Sequence, residues 1–205
     1  MNEMTSPRPR ASEQMWLDEA MALLIEAGVD AVKVMPLAKR LGLTRTGFYH
    51  HFRDRDALLS AMIARWEDKN TGNLVARCEA YAETICEAMF NLQDCWFNPS
   101  LFDAPLDNAI RHWARQDPAL KQRLDDADAR RKQAVSDMFR RFDYAEDDAE
   151  VRTMAILYTQ VGYISMKIEE DPVARIERVP AYVALFTGQT PTAAEIERFR
   201  ARNGY

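Results

Sequence analysis

Glycine is scarce in this chain, at seven of 205 residues, and cysteine and histidine are scarcer, at three each. So few glycines, with 47% apolar residues, exclude a low-complexity unfolded chain and fit a helix-rich folded one. No apolar run reaches the roughly 18 residues that a membrane span needs. The opening, Met1 to Ser12, is polar, with Pro7 and Pro9 among Arg8 and Arg10. It lacks the apolar stretch of a secretion signal, so a cytoplasmic protein is expected.

The cysteines, Cys78, Cys86 and Cys95, are odd in number and have no Cys-x-x-Cys spacing. Buried thiols acting as small apolar residues are expected, not a redox sensor. Of the histidines, His50 and His51 are neighbours in a basic segment, and His112 has no Cys or His four residues on. No phosphate-cradling glycine loop and no His-Glu-x-x-His pair occurs. The sequence therefore offers no catalytic residues, no metal site and no cofactor site, and an enzyme is the least supported reading. Asp125, Asp126 and Asp128 alternate with Arg123, Arg130 and Arg131 in the manner of a solvated helix face.

A surplus of positive charge is also missing, since the chain carries a net −5. Its distribution matters more. Lys33, Lys39, Arg40, Arg45, Arg53 and Arg55 face only Asp54 in the stretch 33–55, which is thus +5 and leaves −10 for the remainder. A basic patch on an acidic body suits phosphate binding.

Periodicity and caps predict an all-α protein. Ser12 caps a helix to about Ala27 with Leu17, Ala20, Met21 and Leu24 on one stripe, and Gly28 stops it. A short helix over Val34–Leu41 tolerates Pro36 in its first turn and ends at Gly42. Thr44 caps a third helix to about Phe52, and Asp54 a fourth from Arg55 to about Asn70. Further helices are predicted near Leu74–Cys95, Leu101–Arg115, Pro118–Phe142, Asp147–Glu169, Pro180–Phe186 and Thr192–Arg202. Three regions follow: a flexible N-terminal arm (1–11), a helix-turn-helix domain (12–53), and a helical body (54–205).

The stretch from Leu37 to Phe52 carries the chemistry. Two helices crossing steeply need a small residue at the crossing, a left-handed turn and an apolar plug. Ala38, Gly42 and Phe48 meet those needs, with Phe52 as a second plug and Leu37, Leu41 and Leu43 opposite. The second helix exposes Arg45, Thr46, Gly47, Tyr49 and His50. Arg45 can fork onto guanine O6 and N7 or clasp a phosphate, and Thr46 can meet a base edge or a thymine methyl. Gly47 costs helix propensity but lets the backbone approach DNA. Tyr49 and His50 suit phosphate contacts, which set register without specifying sequence. Arg8 and Arg10 can reach a minor groove or belong to a plain tail.

Gly28, Leu37-Ala38, Leu41-Gly42-Leu43-Thr44, Gly47-Phe48-Tyr49-His50-His51-Phe52 and Leu58-Leu59 resemble the N-terminal domain of the tetracycline-repressor (TetR) family, over Trp16 to Leu59. The resemblance implies a three-helix DNA-binding domain, a fourth helix acting as a lever, and a dimerising, ligand-binding body. Lys33 stands where the family often has a capping Thr, and Arg55 where a Lys often contacts the DNA backbone. Both keep a capacity for phosphate, while Lys33 loses the cap. With these two and the residues above, Thr44 completes the expected DNA-binding set.

In the body, Trp113–Arg131 and Glu150–Met166 are similar to the C-terminal domains of the same family. The helix near Asp147–Glu169 is apolar nearly all round, so one side is expected on the core and another on a partner copy. Met154, Leu157, Val161 and Ile164, with Tyr182, Leu185 and Phe186 from a later helix, are the expected four-helix homodimer interface. Trp66, Met89, Phe90, Trp96, Trp113, Met138 and Tyr158 are the expected lining of a pocket for a small apolar or aromatic effector. The partners expected are double-stranded operator DNA and a second copy, with no membrane. Two readings stay open: a repressor relieved by a small ligand, and a DNA-binding regulator, activator or partner-controlled, without one.

Overall fold

The computed structural model describes residues 12–205, and every described element is helical. The arm expected over residues 1–11 lies outside the described residues. The chain divides into two compact units, the first ending at Arg65 and the second running over Trp66–Tyr205.

The first unit opens with α1 (Glu13–Ala27), whose first turn is closed by the Ser12 hydroxyl accepting from the Met15 N–H. Gly28, at φ 78°, ends it. A single 3-10 turn (Val29–Ala31) leads to α2 (Val34–Leu41), α3 (Arg45–Tyr49) and α4 (Arg55–Trp66). Asp54 starts α4 as expected, accepting from the Ala57 N–H at 2.8 Å. The compact unit takes in most of α4 because α4 is tied into it. Arg55 donates to the carbonyls of Val32 (2.6 Å) and Val29 (2.8 Å), and Arg65 pairs with Asp18 at 2.7 Å.

The second unit begins with the end of α4, which passes without a break through a π-helical turn (Glu67–Gly72) into α5 (Asn73–Glu79). Then come α6 (Ile85–Phe97), α7 (Ala104–Ala114), α8 (Pro118–Arg140), α9 (Glu146–Ser165), α10 (Pro172–Thr187) and α11 (Ala193–Arg202). One core joins them, built from Leu74, Met89, Phe90, Val135, Met138, Phe139, Ile156, Val179, Val183 and Phe199 among others. Phe90 and Phe199 stack in it with centroids 4.8 Å apart.

Several predicted boundaries need correction. The third helix stops at Tyr49, not Phe52, and the fourth does not end at Asn70. Asn70 and Thr71 are instead fully buried in the π-helical turn. Asn70 exchanges hydrogen bonds with the Asp103 backbone, and Thr71 accepts from Arg131 at 2.9 Å. Conversely, the single helix expected over Leu74–Cys95 is broken at 80–84. Thr84 starts α6 there by accepting from the Glu87 N–H, and its own hydroxyl donates to Glu195 on α11. The helix expected to reach Glu169 ends at Ser165. Pro180 lies inside α10 rather than at its start. The hydrogen bond it forfeits is offset by burial of Ile176, Val179 and Val183 on the inner face of that helix.

Cys78, Cys86 and Cys95 are free and buried. Burial pushes the Cys95 thiol up to about 12 and raises Cys78 further, so neither ionises near neutral pH.

Candidate nucleic-acid interface

The turn between α2 and α3 follows from Gly42, which adopts the left-handed conformation at φ 65°. There the Leu43 N–H returns to the Ala38 carbonyl at 2.8 Å, closing the end of α2. Ala38 is 3% exposed, as a close helix crossing requires. Thr44 then caps α3, its hydroxyl accepting from the Gly47 N–H at 3.1 Å. Phe48 is fully buried, edge-on to Trp16 with centroids 5.3 Å apart and stacked on Phe52 at 5.5 Å. This packing fixes which side of α3 faces outward.

Arg45, Thr46, Tyr49 and His50 lie on that outward side and are exposed, with Thr44 and Lys33 also exposed. Lys33 stands at the start of α2 with no side-chain cap, as expected of a lysine there. Gly47 is not required by packing. A Cβ built on it meets only the Thr44 hydroxyl, at 3.5 Å, an ordinary contact.

The basic stretch is less free than its composition suggests. Arg40 pairs with Glu19 and Glu26 on α1, and Arg53 with Asp54. Arg55, expected at a phosphate, spends its Nε and Nη2 on the carbonyls of Val32 and Val29. It is half-buried; its local task is to hold the entry to α2.

The family model for bacterial regulatory proteins of the tetR family matches residues 17–62. The match falls within the first compact unit and takes in the helix-turn-helix. The tetracycline repressor protein class A from transposon 1721 of Escherichia coli is 38% identical over 60 residues, covering 29% of this chain and 28% of that protein. The HTH-type transcriptional repressor Rv1474c of Mycobacterium tuberculosis is 31% identical over 77 residues, 38% of this chain and 41% of that one. The chain thus matches less than half the length of either relative. Its fold extends the likeness. Mycobacterium smegmatis AmtR superposes with a TM-score of 0.66 at 14% identity, covering 98% of this chain and 97% of that one. The TetR-family regulator PfmR of Thermus thermophilus gives 0.65 at 20%, covering 86% and 99%. By name the first two relatives are repressors and PfmR is a transcriptional regulator.

In the second unit the expected pocket residues separate. Met89, Phe90 and Met138 belong to the packed core, Trp96 packs against it, and Trp66 and Trp113 are buried. Tyr158 is 55% exposed, with the Lys132 ammonium 5.3 Å from its ring centroid, so it lines no interior cavity. A cavity of about 360 Å³ is lined by Tyr81, Phe90, Asn91, Glu195, Arg198 and Arg202 among others, and a smaller one of about 80 Å³ by Asp107, Arg111, His112, Val161 and Ile164 among others. Both are rimmed by charge, and of the seven expected residues Phe90 alone reaches either.

The expected interface residues also divide. Leu157, Ile164 and Phe186 are partly buried and pack against the core of their own chain. Met154, Val161 and Tyr182 are half-buried, and Leu185 is 70% exposed. Val151 at 61% and Tyr158 continue an outward apolar face on α9.

A buried polar cluster went unread in the sequence. Asp107, 1% exposed, accepts from the Trp66 indole N–H at 2.9 Å, from Arg131 at 3.0 Å and from Arg111 at 2.8 Å. Arg111 also forks onto Asp128, at 2.8 and 2.7 Å. Burial pushes the Asp107 carboxyl up, but Arg131 and Arg111 outweigh it and hold it below the usual carboxylate range. The solvated-face expectation for α8 is therefore corrected. Asp125, Asp126 and Arg130 are exposed, whereas Arg131 is 3% exposed and Arg123 clasps Glu67. The Asp107-x-x-x-Arg111 spacing, an i,i+4 pair on a mostly apolar helix, was the available signal.

Proposed function

We propose that this chain is a sequence-specific repressor that grips operator DNA as a homodimer, with α3 of each copy in a major groove. The observation that carries the reading is the outward face of α3. Arg45, Thr46, Tyr49 and His50 stand exposed around a glycine that packing does not require. A glycine inside a helix costs about 1 kcal/mol against alanine; at position 47 a duplex backbone or groove wall supplies the reason for it. The two curated relatives are both repressors by name, which favours repression over activation.

Homodimerisation is supported by the exposed apolar residues Val151, Tyr158 and Leu185 on α9 and α10. A dimer reads two half-sites only if its α3 helices lie about 34–36 Å apart. An effector that prefers another spacing would release the DNA, because only differential affinity for two states shifts their balance. The effector is a small apolar molecule, and because Met89, Phe90 and Met138 are packed in the core, the body must open to admit it. A regulator of this kind works beside the chromosome, in the cytoplasm.

Selection of bound duplexes from random DNA tests the reading. A palindromic consensus with half-sites one helical turn apart, or a multiple of it, supports it. A protein that sediments as a monomer, or that enriches no sequence in dilute salt, overturns it. Thermal stabilisation by a small-molecule panel separates the effector-relieved form from one without an effector.

A further inference from the structure

Arg45 and Tyr49 stand one helical turn apart on the outward face of α3, and they are joined. The Arg45 Nε and Nη2 donate to the Tyr49 phenol oxygen at 3.4 and 3.1 Å, and the guanidinium carbon is 5.4 Å from the ring centroid. Tyr49 is itself anchored, edge-on to the buried Phe48 with centroids 5.3 Å apart. A chain of contacts therefore runs from the core through Phe48 and Tyr49 to Arg45.

The chemistry of the guanidinium gives that chain a use. Its five N–H groups form two forks, a side-on pair (Nε with one Nη2 hydrogen) and an end-on pair (Nη1 with the other Nη2 hydrogen). Tyr49 engages the side-on fork. The end-on fork has no partner among the described residues, and its geometry matches the O6 and N7 acceptors of guanine. Holding the side chain before contact also lowers the rotamer entropy lost on binding. We infer that Tyr49 is a positioning residue whose hydroxyl aims Arg45 end-on at guanine, so that Tyr49 sets base specificity without touching a base. This inference rests on the operator-binding reading above, and it changes the role of Tyr49 from a phosphate contact to a determinant of sequence preference.

Tyr49→Phe tests it, since the ring and its packing on Phe48 are kept and only the hydroxyl is lost. Affinities of wild type, Y49F, R45A and the double variant are compared on the selected operator and on operators with each guanine replaced. Y49F is expected to lower the preference for guanine at one position per half-site by roughly five- to tenfold, and to have no further effect in the R45A background. Equal weakening on every sequence, in both backgrounds, overturns the inference and returns Tyr49 to a phosphate. So does an unchanged preference. A second measurement needs no DNA. In the free protein the Arg45 Nε–H should exchange with solvent more slowly in wild type than in Y49F, and equal rates overturn the inference while leaving the operator reading standing. Failure of the wild type to prefer any sequence removes the operator reading instead, and this inference with it.

Discussion

Charge is handled in opposite ways in the two units. In the first, Arg40 and Arg53 pair with carboxylates at the surface, and Arg53 remains 86% exposed. In the second, Arg131 and Asp107 are joined with side chains 4% and 1% exposed. Exposed pairs contribute about 0–1 kcal/mol. A buried pair adds little net stability either, but deleting one partner strands the other charge away from water. Surface charge in the first unit is thus available to a partner molecule, whereas the Asp107–Arg131 pair in the second is part of the frame.

The largest effect should therefore come from Asp107→Ala. Leaving Arg131 buried without its carboxylate is expected to cost about 3–5 kcal/mol in denaturant unfolding. Arg53→Ala in the first unit should move stability by no more than roughly 1 kcal/mol. Similar losses in the two variants would erase the contrast between the units.

Acid sharpens the same contrast. The folded-state pKa of Asp107 is lowered, so its contribution is present above the ordinary carboxylate value of about 4 and is lost as pH falls through the folded value. The stability gap between wild type and Asp107→Asn should narrow below about pH 4. A gap that stays constant down to about pH 2 would mean that the ionised carboxylate is not what stabilises the cluster.

Smaller effects belong to α3. Thr44→Ala removes the hydroxyl that accepts from the Gly47 N–H and should cost about 1 kcal/mol of stability. Gly47→Ala should do the reverse, stabilising the free protein by up to about 1 kcal/mol because the added Cβ meets only an ordinary contact. The same variant should bind operator more weakly in titrations. Stabilisation without loss of binding would leave the glycine without a role at the DNA.

The helix-turn-helix was legible in the sequence because its requirements are local. A left-handed Gly42, a cap at Thr44 and a plug at Phe48 are fixed by neighbours within a few residues, and each is found in place. Long helices were legible in kind but not in their ends. The break at 80–84 depends on Thr84 reaching Glu195, 111 residues away. Pro180 reads as a start until the buried face of α10 is seen to run across it. In the candidate site, the outward positions of α3 are legible from spacing, whereas the hold of Arg55 on the carbonyls of Val32 and Val29, 23 and 26 residues back, is not.

Sequence by itself determined the helical class, the caps and the small motif whose residues constrain one another through the backbone. Only the tertiary structure decided that Asp107 meets Arg131, 24 residues on, that Tyr158 points outward, and that Arg45 leans on Tyr49. The physical reason is that side-chain direction and desolvation depend on what else is packed nearby, and residue type and spacing do not encode that.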